Sequence, residues 1–220
     1  MSEESGYSGH VEPRGPAINR TVDVDGVSVQ VRKFSVGWMD NNVYLLADPA
    51  TGEGLLIDAA DDAERILEEV GDTRLRGIVT THGHRDHWRA LDAVAEATDA
   101  PVWLHGDDAD MVPWTADRAA EHGTRIGFGQ AEVRLLHTPG HTPGSVCLLL
   151  GDTHLFSGDT LFPGGPGRTT NQEEFQTIMR SIEERLFTLP DETWVYPGHG
   201  DDTTLGAERP HLPAWRARGW

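Results

Sequence analysis

The stretch that most restricts the fold is residues 76–105, RGIVTTHGHRDHWRALDAVAEATDAPVWLH. An apolar run with strand character (76–81) enters a polar loop. Residues 87–98 then carry apolar groups at helical spacing, and VWLH (102–105) returns as strand. A strand, helix, strand succession this short is a crossover, which needs a sheet with a helix packed on its face. The class is therefore α/β.

The flanking segments agree. VSVQVRKF (27–34) alternates like a half-buried strand, while VYLLA (43–47) and GLLID (54–58) read as buried strands. Asp61 is the expected N-cap of a helix through AERILEEV, stopped by Gly71. Further strands are expected at AEVRLLHT (131–138), GSVCLLL (144–150), HLFSG (154–158) and WVYPGHG (194–200), with an amphipathic helix over 171–187. Residues 1–20, rich in Gly, Ser, Pro and Glu, read as a flexible tail before a single domain spanning 21–220. Residues 203–220, with Pro210 and Pro213, read as a short irregular end.

Charge narrows the partners. The chain carries a net charge of −18 and one lysine, Lys33. Such a surface repels phosphate backbones and anionic lipid heads, so neither nucleic acid nor membrane is expected, and a small-molecule substrate is. No apolar run approaches the roughly 18 residues of a bilayer span. The N-terminus has neither the basic start nor the apolar stretch of a secretory signal, so the expected location is cytoplasmic. Cys147, the one cysteine, lies in SVCLLL and reads as a small buried hydrophobe.

The loop THGHRDHW (81–88) holds three histidines and an aspartate. On extended backbone His82 and His84 share a side, while Asp86 and His87, a turn further on, can face a second point. Two neighbouring cation sites are the natural reading. They need more donors, since zinc takes about four at ~2.0–2.2 Å for nitrogen and oxygen. Three other candidates each follow a predicted strand: His141 in TPGHTPGS, Asp159 in SGDTLF and His199 in YPGHG. Strand ends are where α/β scaffolds project functional groups into a shared cleft. His10, His105, His122, His137, His154 and His211 lack such a context and read as ordinary residues.

In THGHRDH, HTPGHTPGS, SGDTLF and PGHG, in that order, the chain resembles the metallo-β-lactamase-fold superfamily from about residue 25 to 200. The resemblance implies a four-layer αβ/βα sandwich with a dinuclear centre at the edge between its sheets. His82, His84 and His141 would hold one metal and Asp86, His87 and His199 the other, with Asp159 bridging. Asp58, ending GLLID, matches the family's early aspartate and would orient a ligating imidazole; capping the following turn is its alternative role. The implied cofactors are two divalent ions, zinc in preference to iron.

The implied chemistry is hydrolysis, in which a metal-bridging hydroxide attacks a carbonyl and Asp86 orients it. Lactamases typically lack an aspartate at the bridging position, and diiron flavoproteins carry glutamate where His84 stands. What remains is similar to the glyoxalase II-like group, with a thioester or other ester as substrate. The alternatives are a lactonase or a mononuclear Fe(II) persulfide dioxygenase using His82, His141 and Asp159. Only about 20 residues follow His199, too few for the basic helical domain with which classical glyoxalase II grips glutathione. PGGPGR (163–168) lacks the GK[ST] of a phosphate loop, and Arg168 is expected in a structural ion pair rather than on substrate. Trp38 and Met39, in VGWMDNN, fall where this fold often carries a loop over the site, with core packing as the other assignment.

Overall fold

The computed structural model describes residues 7–219. Seven strands form the first sheet in chain order: β1 (Ile18–Val24), β2 (Val27–Val36), β3 (Asn41–Asp48), β4 (Glu53–Ile57), β5 (Arg74–Val79), β6 (Val102–Leu104) and β7 (Arg118–Ala119). The first four are antiparallel, and from β4 onward the pairs are parallel. The second sheet contains β8 (Arg125–Phe128), β9 (Ala131–His137), β10 (Val146–Leu150), β11 (His154–Gly158), β14 (Trp194–Pro197) and β15 (Thr203–Thr204), in the order 15-14-11-10-9-8. A small ribbon of β12 (Leu161–Phe162) and β13 (Gly165–Pro166) stands apart. The helices are α1 (Ala63–Val70), α2 (Leu91–Thr98), α3 (Gln172–Ser181), α4 (Leu205–Glu208) and α5 (Leu212–Arg218).

Period-two alternation divides the apolar residues among three cores. Tyr44 and Leu46 of β3 point inward to meet Leu148, Leu150, Phe156 and Tyr196 of the second sheet. Val43 and Leu45, from the other face of β3, pack beneath Ile66 and Val70 of α1 and Leu91 and Val94 of α2. On the far side, Cys147, Leu149, Leu155 and Val195 lie under Phe175, Ile178 and Met179 of α3 and Trp215 of α5. Helix, sheet, sheet, helix is the four-layer sandwich that the sequence led us to expect. Two backbone hydrogen bonds staple the sheets together beside the histidine loop: Val146 N donates to Thr81 O at 2.9 Å and Asn42 N to Gly198 O at 2.7 Å.

Several expectations need correction. Residues 1–6 of the expected tail lie outside the described residues, but 7–20 are not loose. Ile18–Arg20 begin β1, and the Tyr7 hydroxyl donates to Asp202 at 2.6 Å. Lys33, fully buried, donates to the carbonyls of Gly9 and Gly200 at 2.8 Å and pairs with Asp202 at 2.7 Å. These bonds offset the ordering entropy that composition alone suggested would win. The residue capping α1 is Asp62, whose side chain accepts from Arg65 N, while Asp61 pairs with Arg89. The helix expected over 87–98 is a single 3₁₀ turn (Arg85–His87) followed by α2, and the helix over 171–187 is α3 continued by a π-helical turn (Ile182–Leu186). The C-terminal segment is helical rather than irregular, because Leu205 and Trp215 anchor it in the third core.

Candidate metal centre

After β5 the chain bends at His82 and Gly83, and His84, extended at φ −68°, ψ 136°, precedes the 3₁₀ turn that lifts Asp86 and His87. The loop after β9 brings in His141, the end of β11 brings in Asp159, and the end of β14 brings in His199. All seven residues expected from sequence converge. Donor atoms of His82, His84 and His141 lie within 4.8 Å of one another, as do those of Asp86, His87 and His199, and those of His82, His87 and Asp159. Asp159 faces both triads: its Oδ1 is 3.5 Å from His87 Nε2, and its Oδ2 is 3.5 Å from His141 Nε2 and 3.7 Å from His199 Nε2.

Outer hydrogen bonds fix which ring nitrogen four of the five histidines present, while His84 Nδ1 lies 2.9 Å from His141 Nε2 within the centre. The Thr81 hydroxyl donates to Asp58 Oδ2 at 2.9 Å, so its oxygen is free to accept from His82 Nδ1 at 3.0 Å. His87 Nδ1 donates to Asp58 Oδ2 at 2.8 Å, His141 Nδ1 to the Arg168 carbonyl at 2.8 Å, and His199 Nδ1 to the Met39 carbonyl at 3.1 Å. In all four the lone pair is left on Nε2, turned to the centre. Asp58 thus orients His87 rather than capping a helix. Its backbone at φ 59° lies in a region few side chains adopt, which aspartate tolerates better than most.

The centre is built for cations. His82 Nε2, His87 Nε2 and Asp159 Oδ1 are buried without a hydrogen-bond partner. Orphaned donors of this kind are costly unless something shared satisfies them, so the residues present fit a bound metal. Burial, then the neighbouring His87, pushes His82 well below its ordinary pKa, and burial and His141 lower His84. Burial would also lower His87, but Asp159 and Asp58 outweigh it and hold it well above ordinary. His199 is likewise raised, by Asp86 and Asp159 against burial. Burial opposes ionisation of Asp159 and Asp86, yet their histidine neighbours keep both far below the carboxylate range.

Three contributors escaped the sequence reading. Asn41 Nδ2 donates to Asp86 Oδ2 at 3.0 Å. Thr81 links Asp58 to His82, as described. Asp108, fully buried, accepts from Gly83 N at 2.7 Å, Thr142 Oγ1 at 2.7 Å and Gly144 N at 2.6 Å, so one carboxylate ties the His82–His84 loop to the His141 loop. Arg168 has an exposed side chain, and the contact that matters is its carbonyl to His141 rather than an ion pair. Trp38 is 71% exposed, which removes core packing as its role. His105, Asp107 and His137 also cluster, with the two rings stacked 3.9 Å apart at 13°.

Comparison with known proteins agrees with this architecture. The sequence profile of the metallo-beta-lactamase superfamily matches residues 36–199. The chain is 35% identical over 207 residues to the probable metallo-hydrolase YqgX of Bacillus subtilis, covering 83% of this chain and 95% of that one. It is 37% identical over 160 residues to a hydroxyacylglutathione hydrolase from Polaromonas sp., covering 71% of this chain and 60% of the relative. The crystal structure of ETHE1 from Myxococcus xanthus superposes with a TM-score of 0.75 at 36% identity, covering 83% of each chain. Among the described residues no helix is long and apolar enough to cross a membrane.

Proposed function

Because this chain belongs to the metallo-beta-lactamase superfamily, a superfamily of metal-dependent hydrolases, we propose that it is a dinuclear hydrolase of thioesters or other activated esters. The observation that supports this reading is the carboxylate of Asp159 between two complete triads. His82, His84 and His141 would hold one divalent ion and Asp86, His87 and His199 the other, with Asp159 shared. When bound, such ions lower the pKa of water from 15.7 to about 7 and polarise a carbonyl.

The chain's own groups do the rest. Asp86, held ionised and anchored by Asn41, is placed to accept a hydrogen bond from the attacking water. The orienting bonds from His82, His87, His141 and His199 keep the donor set rigid, which preorganisation requires. In the overall reaction water's oxygen bonds to the acyl carbon, the carbon–sulfur bond breaks, and the departing thiolate takes up a proton. Zinc suits the nitrogen and oxygen donors. Likeness to ETHE1 and to the glutathione thioester hydrolase leaves a mononuclear iron oxidoreductase as the competing assignment. The completeness of the second triad favours two ions. Elemental analysis of protein purified without chelators tests this: about two zinc ions per chain with thioester turnover is expected, while about one iron with oxygen uptake on a persulfide would overturn it. Asp159→Ala is expected to lose turnover by orders of magnitude.

A further inference from the structure

Three backbone carbonyls around His199 are held by side chains and backbone of the first sheet. Pro197 O accepts from the Tyr44 hydroxyl at 2.7 Å and from Asn42 Nδ2 at 2.9 Å. Gly198 O accepts from Asn42 N at 2.7 Å, and Gly200 O from Asn42 Nδ2 at 2.9 Å and from Lys33 Nζ at 2.8 Å. Lys33 and Tyr44 are cross-strand partners on β2 and β3. The turn that carries His199 into the centre is thus placed by three residues of the opposite sheet.

Lys33 connects this turn to the start of the chain. An ammonium has three N–H donors. Those of Lys33 reach Gly200 O and Gly9 O at 2.8 Å and Asp202 Oδ1 at 2.7 Å, and neither its side chain nor that of Asp202 is exposed. Separating a buried pair leaves an uncompensated charge, so the segments joined by Lys33 stay together. Gly9 O also accepts from Asp202 N at 3.1 Å, and the Tyr7 hydroxyl donates to Asp202 Oδ2 at 2.6 Å. Gly9 lies at φ 72°, and a Cβ there would fall 2.9 Å from Asp202 Cβ, so the segment rests directly on the turn. None of these bonds reaches the loops of His82, His84 and His141, which Asp108 ties together.

We propose that Lys33 is a positioning residue for His199, and that residues 7–9 act through it and Asp202 as a clamp on the ion held by Asp86, His87 and His199. Occupancy of this one site then depends on a segment at the far end of the chain. Loosening the segment releases that ion and leaves the other bound. The inference rests on the two-ion reading of the centre and not on the identity of the substrate.

The test is a cobalt titration of metal-free protein followed by absorption, in which the binding phase missing from His199→Ala marks the ion in question. Lys33→Met combined with Asp202→Asn removes the bond to Gly200 without leaving a buried charge unpaired. The marked phase is expected to weaken by about 10–100-fold, with the other unchanged. Tyr7→Phe keeps every contact around His199 and should weaken the same phase by about two- to fivefold; it decides alone if the double variant does not fold. Amide exchange on the metal-free variants should lose protection at Asn42 and Asp202 and keep it at Gly83 and Gly144, whose amides bond to Asp108. Equal weakening of both phases, or protection lost throughout, would make Lys33 a residue of general stability and overturn the proposal, as would two unchanged phases. A single phase in the unaltered protein would sink the two-ion reading instead. The exchange pattern then decides the clamp, which stands if the loss is confined to Asn42 and Asp202 and falls otherwise.

Discussion

Asp58 Oδ2 lies 2.8 Å from His87 Nδ1, while Asp58 Oδ1 accepts the Thr81 amide at 2.7 Å and Oδ2 also accepts the Thr81 hydroxyl. One fully buried carboxylate thereby sets the tautomer of His87 and, through Thr81, of His82, which belong to different triads. Asp58→Asn preserves volume but offers an amide donor where His87 needs an acceptor. Metal affinity is expected to fall by about 10–100-fold, the usual cost of losing an orienting partner. Competition with a chromophoric chelator measures it, and unchanged affinity would refute the orienting role.

Asp108 has a comparable role on the other side of the centre. Its two oxygens accept three hydrogen bonds from the loops carrying His82, His84 and His141. Asp108→Asn keeps one acceptor and turns the other into a donor facing an N–H. Hydrogen bonds to charged groups contribute about 1.5–3 kcal/mol each, so the metal-free protein should lose roughly 2–3 kcal/mol in denaturant unfolding. Cobalt titration should show the His82–His84–His141 triad weakened more than the other. Equal weakening of both would point to general destabilisation.

Acidification should empty the two triads in order. A proton competes with a metal for an imidazole below that imidazole's own pKa. His87 and His199 have raised values, so the competition begins above the ordinary 6.5, whereas His82 and His84, lowered by burial, resist protonation until more acid is present. Asp86 and Asp159 stay ionised throughout this range. Loaded protein dialysed stepwise toward lower pH should first lose about one ion, from Asp86, His87 and His199. Simultaneous loss of both ions, or loss from His82, His84 and His141 first, would contradict this order.

A methyl group is enough to disturb the shared carboxylate. A Cβ at Gly198 would fall 2.3 Å from Asp159 Oδ1 and 2.8 Å from His87 Cε1. Gly198→Ala should therefore displace the carboxylate and cost turnover while the remaining ligands are intact. Normal metal content and turnover in that variant would show that the loop can yield.

The seven centre residues were legible because each lies in a loop that follows a strand; His82 and His84 do converge, but through a bend at His82–Gly83 and not along the straight extended run that period-two reasoning expects. The sandwich was legible through the family resemblance and not through periodicity, because successive residues of β3 and β10 serve different cores and so read as unbroken apolar runs. The β1–β2 hairpin had a readable signal, Asp25–Gly26, both at positive φ (54° and 84°) as a tight hairpin turn needs, but the tail-like composition before it hid the strand. Asp108 and Asn41 gave no signal. They act on residues 25–36 and 45 positions away, and nothing local distinguishes a buried aspartate with distant partners from a solvated one.

The burial of Lys33 has a chemical consequence for a protein proposed to handle activated acyl groups. Thioesters spontaneously acylate accessible amines, and a lysine beside the catalytic cleft would be a standing target for its own substrate. Here the one lysine of the chain is fully buried and held by Asp202 and two carbonyls, while the cations that face solvent are guanidinium groups, which are not acylated at neutral pH. No lysine side chain is left on the surface to accumulate acyl adducts.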